Sequence, residues 1–128
     1  MKKLYFIISI LLVLAVIFLY FRINEDNWIK DEKGIYVKHG NPSETPDYVL
    51  GQQKAIAQAL TFYNTAKNGG VEFSSQCLGS FDDYAFDIVH VPRISEDNLP
   101  ENQCEDYKEG LVKHFIELDK EGNIIRVM

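Results

Sequence analysis

Three histidines, two cysteines and a scatter of carboxylates are the side chains able to do chemistry in this sequence. His90 and His114 each lie in a run that reads as a strand, with Asp87 and Glu117 close by in sequence. Two inward histidines on neighbouring strands, joined by such a carboxylate, would make a zinc site, which takes three or four ligands. No H-x-x-x-H or H-x-H spacing supports that site, and partly buried, hydrogen-bonded histidines account for the same residues. A cysteine nucleophile needs an adjacent base, which would pair Cys77 with His90 or Cys104 with His114. The chemical reading is therefore a small hydrolase or metal-binding domain built on the His90/His114 region. Asp82-Asp83, Glu96-Asp97 and Glu105-Asp106 fall in loops, where adjacent acids are ordinarily solvated. There is no phosphate loop, nucleophile elbow or dinucleotide fingerprint, and no cofactor is implied.

The third histidine stands in K-H-G-N-P-S, residues 38–43. His39 with Ser43 or Asp47 could hold an anion at the start of the following helix. The same letters also spell a corner. Gly40 and Asn41-Pro42 turn the chain, and Ser43 or Thr45 caps a helix with Pro46 at its first position. The corner accounts for every residue but Lys38 and His39, so it is preferred.

Cys77 and Cys104 form an even pair. In an oxidising compartment they would join as a disulfide closing about 28 residues, worth roughly 3–4 kcal/mol in the chain-entropy model. The compartment follows from the first 23 residues. Leu4 to Phe21 is uncharged and apolar apart from Ser9 and two tyrosine hydroxyls. A run of about 18 such residues is long enough to span a bilayer as a helix, and Tyr5 and Tyr20 suit the two interfaces. Lys2 and Lys3 precede the run and Arg22 follows it, which places the N-terminus in the cytoplasm and residues 24–128 outside. No small-residue cleavage site follows the apolar run, so an uncleaved anchor is expected rather than a signal peptide.

Without the anchor, the domain has 10 lysines and arginines against 19 acids, a net charge of −9. Such a surface repels nucleic acid and anionic lipid.

The elements that must position these residues read as follows. Trp28-Ile29 and Ile35-Tyr36-Val37 flank D-E-K-G as a small hairpin, after a short polar stalk at 22–27. A helix runs from about 46 to 68, with Val49, Ile56, Leu60 and Tyr63 as its apolar stripe, widened by Ala55, Ala59, Phe62 and Ala66. Asn68-Gly69-Gly70 ends it. Strands follow in V-E-F-S-S-Q-C-L, broken at Gly79-Ser80, and in Tyr84–Val91, stopped by Pro92. Residues 93–110 read as a long polar loop. Leu111–Leu118 and Ile124–Val127 are two more strands joined by D-K-E-G-N. The expected architecture is α+β: a transmembrane helix, then one helix packed on a curled antiparallel sheet of about four strands.

The final hairpin, H-F-I-E-L-D-K-E-G-N-I-I-R-V, resembles those that close cystatin-like folds and PepSY-type domains. The stretch W-I-K-D-E-K-G-I-Y-V-K-H-G-N-P-S resembles a segment of small anchored or secreted bacterial proteins of unknown role, whose version often reads W-V-K-H-G-N-P-S with nearby cysteines. That resemblance implies an envelope location and no activity. The leading expectation is a non-enzymatic, single-pass envelope protein. It would bind a protein or peptide through an exposed sheet edge or the acidic 93–110 loop.

Overall fold

The computed structural model describes the backbone of residues 1–128 and every side chain except those of Ile23 and Asn24. Helix α1 (Lys2–Glu25) is long and apolar enough, over Lys2–Arg22, to cross a membrane by length and composition. Its helical backbone continues to Glu25, so most of the polar stretch expected as a stalk is its last turn.

The expected hairpin is present as β1 (Asn27–Lys30) and β2 (Tyr36–His39), paired antiparallel. Helix α2 (Asp47–Asn68) starts one residue later than the capping pattern predicts. Pro46 is the N-cap, with extended ψ of 154°, and no side chain among the described residues caps the helix. Just before it, the Trp28 indole N–H donates to the Glu44 carbonyl at 3.0 Å and ties the approach to the hairpin.

The buried face of α2 is Val49, Gln52, Ala55, Ala59 and Tyr63, turned slightly from the predicted stripe, so that Leu60 is exposed. Gln52 is the polar member of this face. Its Oε1 accepts from Tyr36 N–H at 2.7 Å and its Nε2 donates to Gly34 O at 2.9 Å. One buried amide therefore satisfies two backbone groups of the hairpin and docks it on the helix.

The sheet has four strands in the order β3 (Gln76–Phe81), β4 (Tyr84–Ile88), β5 (His114–Leu118), β6 (Ile124–Val127). β3–β4 and β5–β6 are antiparallel, but β4–β5 is parallel. The all-antiparallel, curled, cystatin-like sheet is therefore corrected to an open sheet of mixed topology. The reason lies in residues 89–113. A parallel pair needs a crossover of a dozen or more residues, and this polar segment is one. It carries short turns at Ser95–Asn98 and Pro100–Asn102 and the helical turn α3 (Glu105–Lys108).

Alternation along the strands divides the sheet into two faces. Phe86, Ile88, Ile116 and Leu118 pack against Ala55, Ala59 and Tyr63 of α2 as the main core. Ala85 and Phe115 point the other way and pack with Cys104, Val112 and Tyr107 of the crossover. Gly79-Ser80 does not end β3; the strand bulges between Cys77 and Gly79 and continues. Gly79 has φ +140°, and a Cβ there would lie 2.9 Å from the Phe62 ring, so glycine meets both the backbone and the packing demand.

Candidate functional site

On the crossover side, the registers line up one polar row across the whole sheet. Cys77 on β3 pairs with Asp87 on β4, Asp87 with Glu117 on β5, and Glu117 with Arg126 on β6. The crossover lays Arg93, Asp97, Cys104 and Tyr107 over this row. A cavity of about 100 Å³ lies between the layers, lined in part by Asp87, Arg93, Glu117 and Arg126.

Glu117 is buried and takes both arginines. Arg93 Nη1 donates to its Oε1 at 2.8 Å, and Arg126 donates through Nη2 at 3.0 Å and Nε at 3.1 Å. Asp87 has no arginine of its own, and its Oδ1 is the buried side-chain atom without a hydrogen-bond partner among the described residues. Burial pushes its carboxyl up to about 6; the Cys104 backbone N–H and Arg93 oppose the rise, and the neighbouring Glu117 adds to it.

The expected disulfide joins Cys77 and Cys104, with Cα atoms 4.8 Å apart. Both sulfurs and an Asp87 carboxylate oxygen lie within 4.8 Å of one another. Cys77 is exposed, whereas Cys104 is 2% exposed. With both thiols in the bond, this trio offers a metal no thiolate pair.

The histidines do not meet. Tyr84 pairs with His114 at one end of the parallel β4–β5 ladder, and His90 lies beyond Ile88 at the other. The strand rise separates them by on the order of 20 Å. His114 stacks on Tyr84 with ring centroids 4.9 Å apart, and its Nε2 lies 3.7 Å from an Asp83 oxygen. His90 donates from Nδ1 to Asp97 at 3.0 Å and from its backbone N–H to the same oxygen at 3.1 Å. His39 is exposed at the end of β2. The parallel register thus removes the geometric basis of a joint His90/His114 metal or hydrolytic site.

Asp97 is 4% exposed, and its environment was not legible from the Glu96-Asp97 pair. It accepts from the Ser75 hydroxyl, the Ile94 N–H and His90. Burial alone would raise its carboxyl, but these donors outweigh it and hold the group well below the usual carboxylate range. Asp97 is a strut that ties the crossover to the start of β3. The signal that would have exposed the polar row is an acid inside an apolar strand, as in Y-A-F-D-I-V-H-V and H-F-I-E-L.

The two sheet edges differ. The β6 edge is closed: Val127 N–H donates to Lys33 O at 2.7 Å and Lys33 Nζ to Ile124 O at 2.9 Å. The β3 edge is open, with no backbone bond from another element among the described residues. Beside it, Thr61, Phe62, Thr65, Ala66 and Leu78 line an apolar groove of about 410 Å³ between α2 and β3. No family model, curated protein or solved structure matches this chain.

Proposed function

We propose that the protein is a single-pass, membrane-anchored envelope protein whose extracytoplasmic domain, residues 24–128, binds an extended peptide segment on the β3 edge. The observation that carries this reading is the unequal treatment of the two edges. The β1–β2 turn closes β6, while β3 keeps its outward backbone groups open. Phe81 and Tyr84 flank a two-residue turn, so the next pair, Ser80 and Ala85, is the non-hydrogen-bonded kind and Ser80 turns its N–H outward. An added strand would satisfy such groups and place one apolar side chain in the α2–β3 groove. The net charge of −9, with exposed Glu72 and Asp82 near the two ends of β3, favours a cationic segment. The apolar run at 2–22 and the disulfide support an anchor with the domain in an oxidising compartment. The Lys2-Lys3 flank favours a cytoplasmic N-terminus.

The crossover is a less suitable contact surface than its acidic sequence suggests, because Asp97 and Cys104 turn inward and bind it to the sheet. The test is hydrogen–deuterium exchange of the detergent-solubilised full chain with a synthetic alternating valine/lysine peptide. Protection confined to 76–81 and the facing side of α2, and lost in Thr65→Arg, is expected. Protection elsewhere, or none, would overturn the reading.

A further inference from the structure

The Cys77–Cys104 disulfide, expected as a passive staple, has surroundings that a staple does not require. Its two sulfurs are unequal. Cys77 lies on the open edge strand and is exposed; Cys104 is 2% exposed under the crossover. Burial closes Cys104 to an attacking thiolate and leaves Cys77 as the cysteine on the accessible side. A carboxyl group lies within 4.8 Å of both sulfurs. That group, Asp87, is directly across the ladder from Cys77, and its inward Oδ1 has no partner among the described residues. The carboxyl is half-buried and takes one bond from the Cys104 N–H, but a buried oxygen left without a partner is destabilising rather than structural support.

We propose that this disulfide is a thiol–disulfide exchange centre, in which Cys77 is the sulfur attacked, Cys104 the one that leaves, and Asp87 the group that carries the Cys104 proton. The co-reactant is a peptidyl or low-molecular-weight thiol, or the corresponding disulfide. In the reducing direction, a thiolate attacks Cys77 Sγ and forms a mixed disulfide with it. The Cys77–Cys104 bond breaks, and its electron pair goes to Cys104 Sγ. The Asp87 carboxyl then gives its proton to the Cys104 thiolate and becomes a carboxylate. In the oxidising direction, Asp87 takes the proton back, Cys104 attacks Cys77 Sγ, and the bound thiol departs as thiolate. A second equivalent of thiol resolves the mixed disulfide externally, so the full reduction consumes two thiols and yields one disulfide.

The electrostatics around Asp87 suit a proton carrier. Burial and Glu117 on β5 favour its neutral form, while the Cys104 N–H and Arg93 limit the rise, so the carboxyl titrates near 6 rather than remaining permanently neutral. Arg126 on β6 and Asp97 and Tyr107 on the crossover line the same cavity. Arg126 and Asp97 are committed to other partners, Glu117 and the Ser75–His90 pair. The inference goes beyond the peptide-docking reading and does not depend on it, because a small thiol has no need of the β3 groove.

The experiment uses the full chain in detergent with reduced glutathione as the probe. Reactions are acid-quenched, alkylated and mapped by peptide mass. In the unmodified protein the trapped glutathione adduct should sit on Cys77, with Cys104 alkylated. Cys104→Ser should hold a lasting glutathione adduct on Cys77 after treatment with oxidised glutathione. The rate per thiolate should fall as pH rises through about 6, following loss of the Asp87 proton. Asp87→Asn, of equal size, should abolish that pH dependence and slow the reaction at pH 5 at least about tenfold. Resistance of the native disulfide to glutathione, adducts on Cys104, or an unchanged pH profile in Asp87→Asn would each overturn the proposal. The adduct map needs no variant, so misfolding of a mutant cannot rescue it.

Discussion

Asp87 and Glu117 are direct neighbours across the parallel β4–β5 ladder, yet both available arginines go to Glu117. Two carboxylates side by side on one sheet face repel. The arrangement resolves the conflict by keeping one charged and paired, and letting the other take up a proton.

A first prediction concerns pH. Asp87 has its folded value raised from 3.8 to about 6, so between those values the native state binds more protons than the unfolded chain. Stability therefore falls as pH rises through that window and stays lower above it, by about 2–3 kcal/mol in all. Asp87→Asn should flatten this slope and make the protein more stable than the wild type at pH 8. Denaturant unfolding of the detergent-solubilised chain at pH 4, 6 and 8 reads it directly; a wild-type slope unchanged in the variant would refute the assignment.

Asp97 should behave in the opposite sense. Its folded value is depressed, so its contribution is present above the unfolded carboxylate range and is lost on acidification. Asp97→Ala would strand Ser75 and the Ile94 N–H, at a cost of about 2–4 kcal/mol at pH 7. The gap between variant and wild type should narrow progressively as the pH falls below about 4.

Glu117→Ala would leave two half-exposed arginines facing a cavity without their carboxylate, and should cost about 2–4 kcal/mol. The triple replacement Glu117→Leu, Arg93→Met, Arg126→Met should recover most of that loss, since an apolar set removes the desolvation penalty as well as the attraction. A triple variant no better than the single one would show that the arginines act elsewhere.

Gln52→Leu tests the docking of the hairpin. It keeps the apolar volume but removes both bonds to the 34–36 backbone. A loss of about 2 kcal/mol is expected, with faster amide exchange across 27–39 and little change in the four-stranded sheet. Gly34→Ala should act on the same joint, because a Cβ there would lie 2.1 Å from the Val127 carbonyl oxygen.

The proposed topology can be checked with added thiols. In intact cells, a membrane-impermeant maleimide should label Glu121→Cys and should reach Lys3→Cys only after permeabilisation. The reverse pattern would invert the orientation inferred from the lysine flank.

Local signals carried the reading of most elements. The hairpin around D-E-K-G, the helix ended by Asn68-Gly69-Gly70, the strand expected over Tyr84–Val91, which ends at Ile88, and the strand Ile124–Val127 all have a composition and period that leave few alternatives. The errors lie where a nonlocal contact decides. Trp28, sixteen residues away, bonds the Glu44 carbonyl ahead of α2, whose start lies one residue later than the capping pattern predicts. Phe62 and the bulge keep Gly79 inside a strand where glycine reads as a break. Residues 93–110 are polar like a surface loop, yet they form the second layer of the sheet, because Asp97, Cys104 and Tyr107 turn inward.

The sequence by itself determined the long apolar segment, the α+β class and the even cysteine pair, since each rests on counting residue types within a window. Which side chains meet was a different matter. Nothing local specifies that β4 and β5 run parallel, and that single choice sends His90 and His114 to opposite ends of the sheet. It also brings Asp87 beside Glu117, while the β3–β4 pairing sets Asp87 across from Cys77. Register is a property of paired strands and of the crossover that joins them, so only the tertiary structure could turn scattered acids, arginines and cysteines into one row.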